Sequence, residues 1–385
     1  MESRQQWTAI LGKRDFPTDG VEDYCTFLGN VLLRHGIELK KTRVRWNEDG
    51  WLHALQQLRR QSLEWDGQWV ILQYTALAWS RRGFPFGAIA TIEILRRRRI
   101  RCAVVFHEPC RQSGVSNRWI DRIRGACQDW VVHRLYREAE KSIFADPLES
   151  IDWLPKKGQK ANFIPIGANV PDLPVEARIA NQNRKTVVIF CLSDAPNMCR
   201  EVEDISHALN CGAKRGLKLR VVFLGRGTTE AKEEIERAFN QIPVEVFNLG
   251  LCPAEEISRI LGESDAMLCV RGKLFPRRGS ALAGIIYGLP IVGYGGALQG
   301  GPIDEAGTDL VPYRDTDALA NALVNVLTNR AHWQEMHEKS LMAKQKYFSW
   351  DSIAAKFIET LAEGQSMYED SSDYKTSLPK QGEEK

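Results

Sequence analysis

The sequence lacks long apolar runs and paired cysteines. None of its hydrophobic segments approaches the roughly 20 residues that span a bilayer, and its first residues, MESRQQWTAI, have no apolar signal-peptide core. Its nine cysteines include no C-x-x-C pair. Scattered cysteines are typical of reduced thiols, and not of a disulfide framework or a zinc site. These absences predict a cytoplasmic protein.

Metal-ligand patterns are also missing. The seven histidines form no set with ligand spacing, and no D-x-D sequence follows a predicted strand. His107 alone ends a predicted strand; the other histidines lie within or at the ends of predicted helices. We therefore expect no bound metal.

Charge is divided unevenly along the chain. Residues 1–180 hold 28 Lys and Arg against 21 Asp and Glu, and the remainder holds 24 against 28. The basic half contains EILRRRRIR (93–101) and NRWIDRIRGACQDWVVHRLYR (117–137). Such segments suit an anionic membrane surface, nucleic acid or simply a solvated helix face. No zinc-finger or RNA-recognition signature accompanies them, so a nucleic-acid partner is not expected.

Hydrophobic periodicity predicts two α/β domains. Short apolar runs alternate with helical patterns, as in WVILQYTALAW (69–79), GAIATIEILRRRR (87–99) and CAVVFHE (102–108). The alternation restarts at TVVIFCLS (186–193) after a proline-rich passage. This rhythm is typical of parallel sheets covered by helices on both faces, here two tandem Rossmann-like, doubly wound domains.

The predicted organisation has five parts. An N-terminal domain (1–165) is followed by a linker (166–185) and a C-terminal domain (186–348). A helix over 349–365 should pack back toward the N-terminal domain, and the polar tail 366–385 should be disordered.

The turn RRGS (277–280) raises a specific question, because two arginines and a glycine stand where a helix begins. A helix N-terminus presents unpaired N–H groups, and adjacent cations would strengthen anion binding there. The alternative is an ordinary loop with solvated arginines. Ligands of open α/β sheets bind beyond the carboxyl ends of strands, where this turn lies, and a cleft between the two sheets would gather such loops.

The order of several short motifs resembles that of retaining glycosyltransferases of the GT-B type, family 4 in broad terms. The matching segments cover almost the whole chain: FPTDGVEDY (16–24), VFHEP (105–109), NFIPIGANV (162–170), VVFLGRG (221–227) and RRGSALAGIIYGLPIVG (277–293). The resemblance implies two facing Rossmann-like domains, the N-terminal one for the acceptor and the C-terminal one for the donor.

The resemblance also implies an activity. It would be transfer of a hexosyl-type sugar from a nucleotide-sugar, most simply UDP- or GDP-linked, with retained configuration and without metal or cofactor. The acceptor would be a glycan, a lipid-linked glycan or a small molecule. This implied activity and the basic helices together suggest polysaccharide biosynthesis at the inner membrane face.

Site residues follow from the matched motifs. His107 would contact the transferred sugar, and Glu108 is the carboxylate beside it that could act as a base or orient the acceptor. Trp79, Arg81 and Arg82 are expected on the acceptor side. Ser280 could cap the helix or bond a phosphate oxygen. The residues expected to bind the donor and its phosphates are Gly20, Arg200, Gly225, Arg226, Arg271, Lys273, Arg277, Arg278, Gly279 and Ser280.

The sequence departs from the family in three places. One glycine of the usual pair in the first loop is Asp19, and in SDAPNMCR (193–200) the usual Arg and Lys are not evident, with Arg200 the only cation nearby. The glutamates usually found at the donor-site loop and helix are replaced by Phe275 and Ala283. In the family the second holds the donor ribose and the first lies near the transferred sugar. A GT-B scaffold that binds a nucleotide, a glycan or a partner subunit without catalysis is therefore a competing prediction. An epimerase acting on a nucleotide-sugar is a third.

Overall fold

The computed structural model describes residues 5–16, 18–109, 119–155, 160–174, 184–295 and 301–362. Contacts divide the chain into two compact units. The first comprises the described residues of 1–164 and 353–385, and the second is Pro165–Ser352. The predicted disordered tail (366–385) lies outside the described residues.

The first unit is built on a six-stranded parallel sheet in the order β2-β1-β3-β4-β5-β6. Its strands are β1 (Gln5–Leu11), β2 (Ile37–Arg43), β3 (Trp69–Tyr74), β4 (Arg101–Phe106), β5 (Lys141–Phe144) and β6 (Ala161–Phe163). Its helices are α1 (Gly20–Arg34), α2 (Trp46–Asp49), α3 (Trp51–Gln61), α4 (Phe86–Arg97) and α5 (Trp119–Glu138).

The central strands of this sheet are buried on both faces. Every residue of β3 is buried, and so is every residue of β4 after Arg101. This explains their nearly continuous apolar sequences, which are typical of parallel strands covered by helices on two sides. The predicted strand 69–79 is shorter in the structure, because β3 ends at Tyr74 and a turn follows.

The C-terminal helix α12 (Trp350–Ala362) returns to the first unit. The Trp69 indole N–H donates to the carbonyl of Leu361 at 3.0 Å. Phe357 and Leu361 are fully buried. This contact joins the start of β3 to a helix almost 300 residues later in the chain.

The second unit is a six-stranded parallel sheet in the order β12-β11-β10-β7-β8-β9. Its strands are β7 (Lys185–Phe190), β8 (Leu219–Leu224), β9 (Val244–Gly250), β10 (Ala266–Cys269), β11 (Ile291–Gly295) and β12 (Thr308–Pro312). Its helices are α6 (Asn197–Lys214), α7 (Lys232–Phe239), α8 (Ala254–Glu263), α9 (Gly279–Ile286), α10 (Thr316–Thr328) and α11 (Arg330–Ala343).

Two apolar clusters cover the two faces of this sheet. One packs α6, α7 and α10 against it, and the other packs α8 and α9. Both sheets therefore have the doubly wound form that the alternating sequence pattern predicts.

The predicted linker 166–185 is packed in its first part. Ala168 and Val170 are buried in the cluster that contains α8 and α9. The Pro171 carbonyl accepts hydrogen bonds from Tyr287 Oη at 2.5 Å and from Ser258 Oγ at 2.9 Å. Residues 166–174 thus belong to the second unit, while 175–183 lie outside the described residues.

No helix within the described residues is long and apolar enough to cross a membrane.

Candidate functional site

The loop between β10 and α9 is held in place by backbone hydrogen bonds. Gly272 has a φ of 65°, and its N–H donates to the Val270 carbonyl at 2.7 Å. The N–H of Leu274 donates to the carbonyl of Tyr294 at 2.7 Å, which ties the loop to β11. The loop lies beyond the carboxyl end of β10, where open α/β sheets bind ligands. It carries the predicted phosphate-binding cations Arg271, Lys273, Arg277 and Arg278.

Helix α9 begins without a side-chain cap. Arg278 is the N-cap residue, with a φ of −73° and a ψ of 96°, and no side chain accepts a hydrogen bond there. Ser280 is the second residue of the helix, so the prediction that Ser280 caps it is wrong. Within the described part of the chain, the N–H groups of Gly279 and Ser280 have no backbone acceptor. These groups and the helix dipole leave a site suited to an anion.

Arginine side chains concentrate positive charge at this end of the sheet. Arg226, Arg271 and Arg278 are each near enough to the Cys191 thiol to lower its pKa, although burial acts more strongly and raises that pKa overall. Burial lowers the pKa of Arg278, and repulsion from Arg271 lowers it further. The Arg278 charge is thus held where an incoming anion would stabilise it.

Arg278 is oriented by its own loop. Its guanidinium lies 4.3 Å from the Phe275 ring centre, and its Nη2 donates to the Lys273 carbonyl at 3.3 Å. The Arg277 guanidinium lies 5.3 Å from the same ring. Phe275 therefore supports two cations and supplies no carboxylate.

A cavity of about 350 Å³ opens beside the loop. Four arginines line it, on α6, on the β10–α9 loop and after β12: Arg200, Arg271, Arg278 and Arg314. The structure thus brings three of the predicted donor-binding residues together. Lys273 lies at the margin, with its ammonium 5.9 Å from the ring centre of the lining residue Tyr313.

Two carboxylates also line the cavity, and each has a partner. Glu201 accepts a hydrogen bond from the Ser193 N–H at 2.8 Å. Asp204 accepts one from the Tyr294 hydroxyl at 2.8 Å. Burial raises the pKa of Asp204, and the Tyr294 hydrogen bond opposes that rise. The four guanidinium groups outnumber the two carboxylates, so the lining of the cavity favours an anionic ligand.

The Gly225-Arg226-Gly227 turn brings a further cation to the same edge. Gly225 and Gly227 have φ values of 89° and 81°. A Cβ at Gly227 would lie 2.6 Å from the Leu192 carbonyl oxygen, so the turn requires glycine for both conformation and space. The Leu192 N–H donates to the Arg226 carbonyl at 2.9 Å.

His107 follows β4 in the first unit and is fixed by its neighbours. Its backbone N–H donates to the Tyr74 carbonyl at 3.1 Å. Its ring Nε2 lies 2.7 Å from Gln73 Oε1, an acceptor, which favours the tautomer protonated at Nε2. The Tyr24 ring meets it edge-on at 5.1 Å. Glu108 is half-buried beside it.

Gly20 starts α1, but the N-terminus of that helix already holds an anion. The Asp19 carboxylate accepts from the N–H groups of Val21 and Glu22, each at 3.1 Å. Arg43 pairs with the same carboxylate at 3.2 Å. Asp19 therefore fills the position where a phosphate would bind next to Gly20.

Of the three residues predicted on the acceptor side, Trp79 is buried, whereas Arg81 and Arg82 are exposed. Trp79 is fully buried and its indole N–H donates to the Gln73 carbonyl at 2.9 Å, so the prediction that it faces an acceptor is wrong. A large aromatic after a strand fills the core here. The side chain of Arg81 bonds Asn47 Oδ1 at 2.5 Å and the Asn47 carbonyl oxygen at 3.1 Å. The Arg82 side chain is exposed.

Sequence reasoning missed the part of the cavity that β11 and β12 contribute. Tyr294, Tyr313 and Arg314 line it, and Arg314 has an uncommon φ of 70° for a non-glycine residue. The short strand β12 has a half-exposed sequence, TDLVP, without a clear strand pattern. Asp204 lies within the amphipathic helix α6, and the helical pattern of the sequence does not show that its carboxylate lines a cavity.

Within the described residues, no three His, Cys, Asp or Glu side chains are grouped to hold a metal.

Comparison of the fold with solved structures gives matches over nearly the whole chain. The structure of sucrose-phosphate synthase from Thermosynechococcus elongatus covers 94% of this chain and 100% of its own, with 16% identity and a TM-score of 0.64. HepE of Anabaena, in complex with UDP and glucose, covers 93% and 100%, with 12% identity and a TM-score of 0.65.

A third match has a different described activity. A candidate UDP-N-acetylglucosamine 2-epimerase from Listeria monocytogenes covers 95% of this chain and 97% of its own, with 11% identity and a TM-score of 0.61. At the level of sequence, no protein-family model and no curated protein matches. These likenesses confirm the predicted GT-B fold class of two tandem Rossmann-like domains.

Proposed function

We propose that this protein transfers a sugar from a nucleotide-sugar, UDP- or GDP-linked, to an acceptor, with retained configuration and without a metal. The observation that carries the proposal is the uncapped N-terminus of α9 beside the guanidinium groups of Arg271 and Arg278. A nucleoside diphosphate supplies the negative charge that such a site stabilises. The structure of HepE in complex with UDP, which has a similar fold, supports the choice of a uridine nucleotide.

The reaction needs stabilisation of the departing diphosphate. As the sugar–phosphate bond breaks, negative charge grows on the leaving oxygen. The N–H groups of Gly279 and Ser280 and the guanidinium groups of Arg278 and Arg271 would take that charge. Arg278 is already held against Phe275, so little reorganisation is required at the moment of reaction.

The Gly225–Gly227 turn would bind the nucleotide side of the donor. Its two glycines leave room for a close approach to the backbone, and Arg226 adds a cation near Arg278. Arg200, which also lines the cavity, would contact the diphosphate or the sugar.

His107 and Glu108 are proposed for the reacting sugar and the acceptor. The Gln73 contact at 2.7 Å would hold the His107 ring in a fixed orientation toward a substrate. Glu108 would act as a base or orient the acceptor hydroxyl. The acceptor is proposed to be a glycan or lipid-linked glycan at the inner membrane face, in polysaccharide biosynthesis.

A GT-B scaffold without catalysis is the second candidate, favoured by one observation. Ala283, which occupies the position of the family's ribose-binding glutamate, is buried within α9 and offers no polar atom beyond its backbone. Such a scaffold would keep the anion site, bind a nucleotide, a glycan or a partner subunit, and show no turnover.

Turnover separates the candidates. Purified protein is incubated with UDP- and GDP-sugars and an acceptor lipid extract, and release of free nucleoside diphosphate is measured. Transfer predicts release that depends on the acceptor and is lost in His107→Ala, while nucleotide binding is kept. The scaffold predicts binding without release. Isomerisation of the donor sugar with no acceptor present would instead indicate an epimerase, the activity described for the Listeria match.

A further inference from the structure

Helix α5 carries apolar side chains on two opposite faces. One face packs into the first unit through Gly125, Gln128, Val131, Val132 and Leu135. The other face is in water, yet it contains Trp119, Ile123 and Trp130, with 72%, 45% and 54% of their surface exposed. A solvent-facing helix surface normally carries polar residues, and exposed apolar patches mark interaction sites.

The exposed residues form a continuous stripe. Ile123 and Trp130 follow Trp119 by 4 and 11 positions, and at about 100° per residue the three fall within about 40° of one another. Ala126, also exposed, lies between them on the same line. We call these four residues the α5 stripe. Its centre lies about 180° from the buried face of the helix.

The stripe extends onto the neighbouring helix. Phe86, the first residue of α4, is 49% exposed, and its ring centre lies 6.0 Å from that of Trp130. Large aromatic side chains of two helices thus share one exposed surface. Trp and Phe rings are the side chains that proteins place at the boundary between lipid headgroups and acyl chains.

Basic residues surround this surface, and the nearby acids are recessed. The described residues 81–99 and 119–138, which form α4, α5 and the turns around α4, contain ten Arg and four Asp or Glu, a balance of +6. On α4, Arg96 and Arg97 are 52% and 70% exposed, whereas their common partner Glu93 is 24% exposed. On α5, Arg137 is 67% exposed, whereas Glu138 is 14% exposed. The surface therefore offers cations around an apolar centre.

We propose that the α5 stripe with Phe86 docks the first unit on an anionic lipid bilayer. The aromatic and aliphatic side chains would enter the headgroup region, and the arginines would contact anionic headgroups. The excess of exposed arginine favours an anionic bilayer over a second copy of this chain, because two such basic surfaces would repel each other. The proposal deepens the membrane-linked acceptor of the proposed function, but docking requires neither donor binding nor catalysis.

The test is flotation of the full chain with vesicles, without nucleotide. Vesicles of phosphatidylcholine alone are compared with vesicles that contain about 30% phosphatidylglycerol, a fraction chosen to give a clearly negative surface. The test variant is Trp119→Ala, Ile123→Ala and Trp130→Ala combined. The matched control is Phe247→Ala, Leu249→Ala and Leu251→Ala combined, which removes three exposed apolar side chains from the second unit. Circular dichroism checks the folding of both.

The proposal predicts that the wild type and the control float with anionic vesicles, and that the triple α5 variant binds at least tenfold more weakly. Raised salt should weaken the wild type, by about fivefold for each arginine contact that is screened. If the wild type does not float, or the α5 variant floats as well as the control, the proposal is wrong. A wild type that is dimeric by light scattering, with dimers lost in the α5 variant, would assign the stripe to a second copy and also overturn it. Nucleotide titration of the same variants shows separately whether the proposed function holds.

Discussion

Replacing Arg278 with Met should weaken nucleotide binding without lowering the stability of the free protein. Methionine keeps a long apolar side chain against Phe275 but removes the charge. In the free protein that charge is disfavoured by burial and by Arg271, as the lowered pKa of Arg278 indicates. Its removal should therefore leave the free energy of unfolding unchanged or raised.

The bound state should respond much more strongly. A hydrogen bond to a charged group contributes about 1.5–3 kcal/mol, so loss of Arg278 from a diphosphate should weaken nucleotide binding roughly 10- to 150-fold. Arg237→Met is the matched control, because Arg237 is 70% exposed and its ion pair is with Glu234 on the same helix. Calorimetry with UDP and GDP gives the affinity, and urea denaturation gives the stability.

Lower stability with unchanged nucleotide affinity would refute a role for Arg278 in binding. If Arg278→Met unfolds more easily than the control and binds nucleotide with wild-type affinity, Arg278 is a structural residue. Its contacts with Phe275 and the Lys273 carbonyl would then be its whole role.

Three further predictions concern the scaffold. Gly227→Ala should lower the free energy of unfolding, measured in urea, by at least about 1 kcal/mol more than Gly216→Ala does. Both glycines have positive φ, but only at Gly227 would a Cβ lie 2.6 Å from the Leu192 carbonyl oxygen. Equal losses of stability at the two positions would show that this steric clash does not matter. Trp79→Phe should lower the free energy of unfolding by about 2–4 kcal/mol, since it leaves a gap in the core and removes the N–H donor of the buried Gln73 carbonyl. The exposed-site control Trp119→Phe should change the free energy of unfolding by less than about 0.5 kcal/mol. Similar losses of stability in the two variants would contradict the core position of Trp79. Burial raises the pKa of the Cys25 and Cys102 thiols to about 12, so at pH 8 only about one thiol in ten thousand is the reactive thiolate. Mass spectrometry should find both unalkylated by iodoacetamide in native protein and alkylated in urea, with any native rate rising about tenfold for each pH unit; rapid native labelling would show that they are not buried.

The fold was largely predictable because parallel sheets buried on both faces have simple sequence patterns. β3 and β4 are almost wholly apolar, and the helices between strands show clear periodicity. The pattern failed where burial is partial: β12 is half-exposed, and its sequence alone does not distinguish it from a loop.

The candidate site was predictable where local chemistry is distinctive. The Arg-Arg-Gly-Ser turn indicated a helix N-terminus, but the start of the helix could not be located to within one residue, so Arg278 and not Ser280 is the N-cap. Trp79 was misassigned because sequence does not reveal which side of a strand end a ring faces. Arg314, Tyr294 and Asp204 join the cavity through tertiary contacts between elements far apart in sequence.

Titration of the protein with UDP, GDP, ADP and CMP in metal-free buffer tests the central claim most directly, namely that the start of α9 is a nucleotide-phosphate site. Uridine and guanosine serve as matched ligands without phosphate. We predict that one diphosphate binds, that its nucleoside binds far more weakly, and that Arg277→Ala with Arg278→Ala abolishes binding while Arg237→Ala does not. Absence of binding by all four nucleotides, or equal binding by the double variant, would contradict the claim.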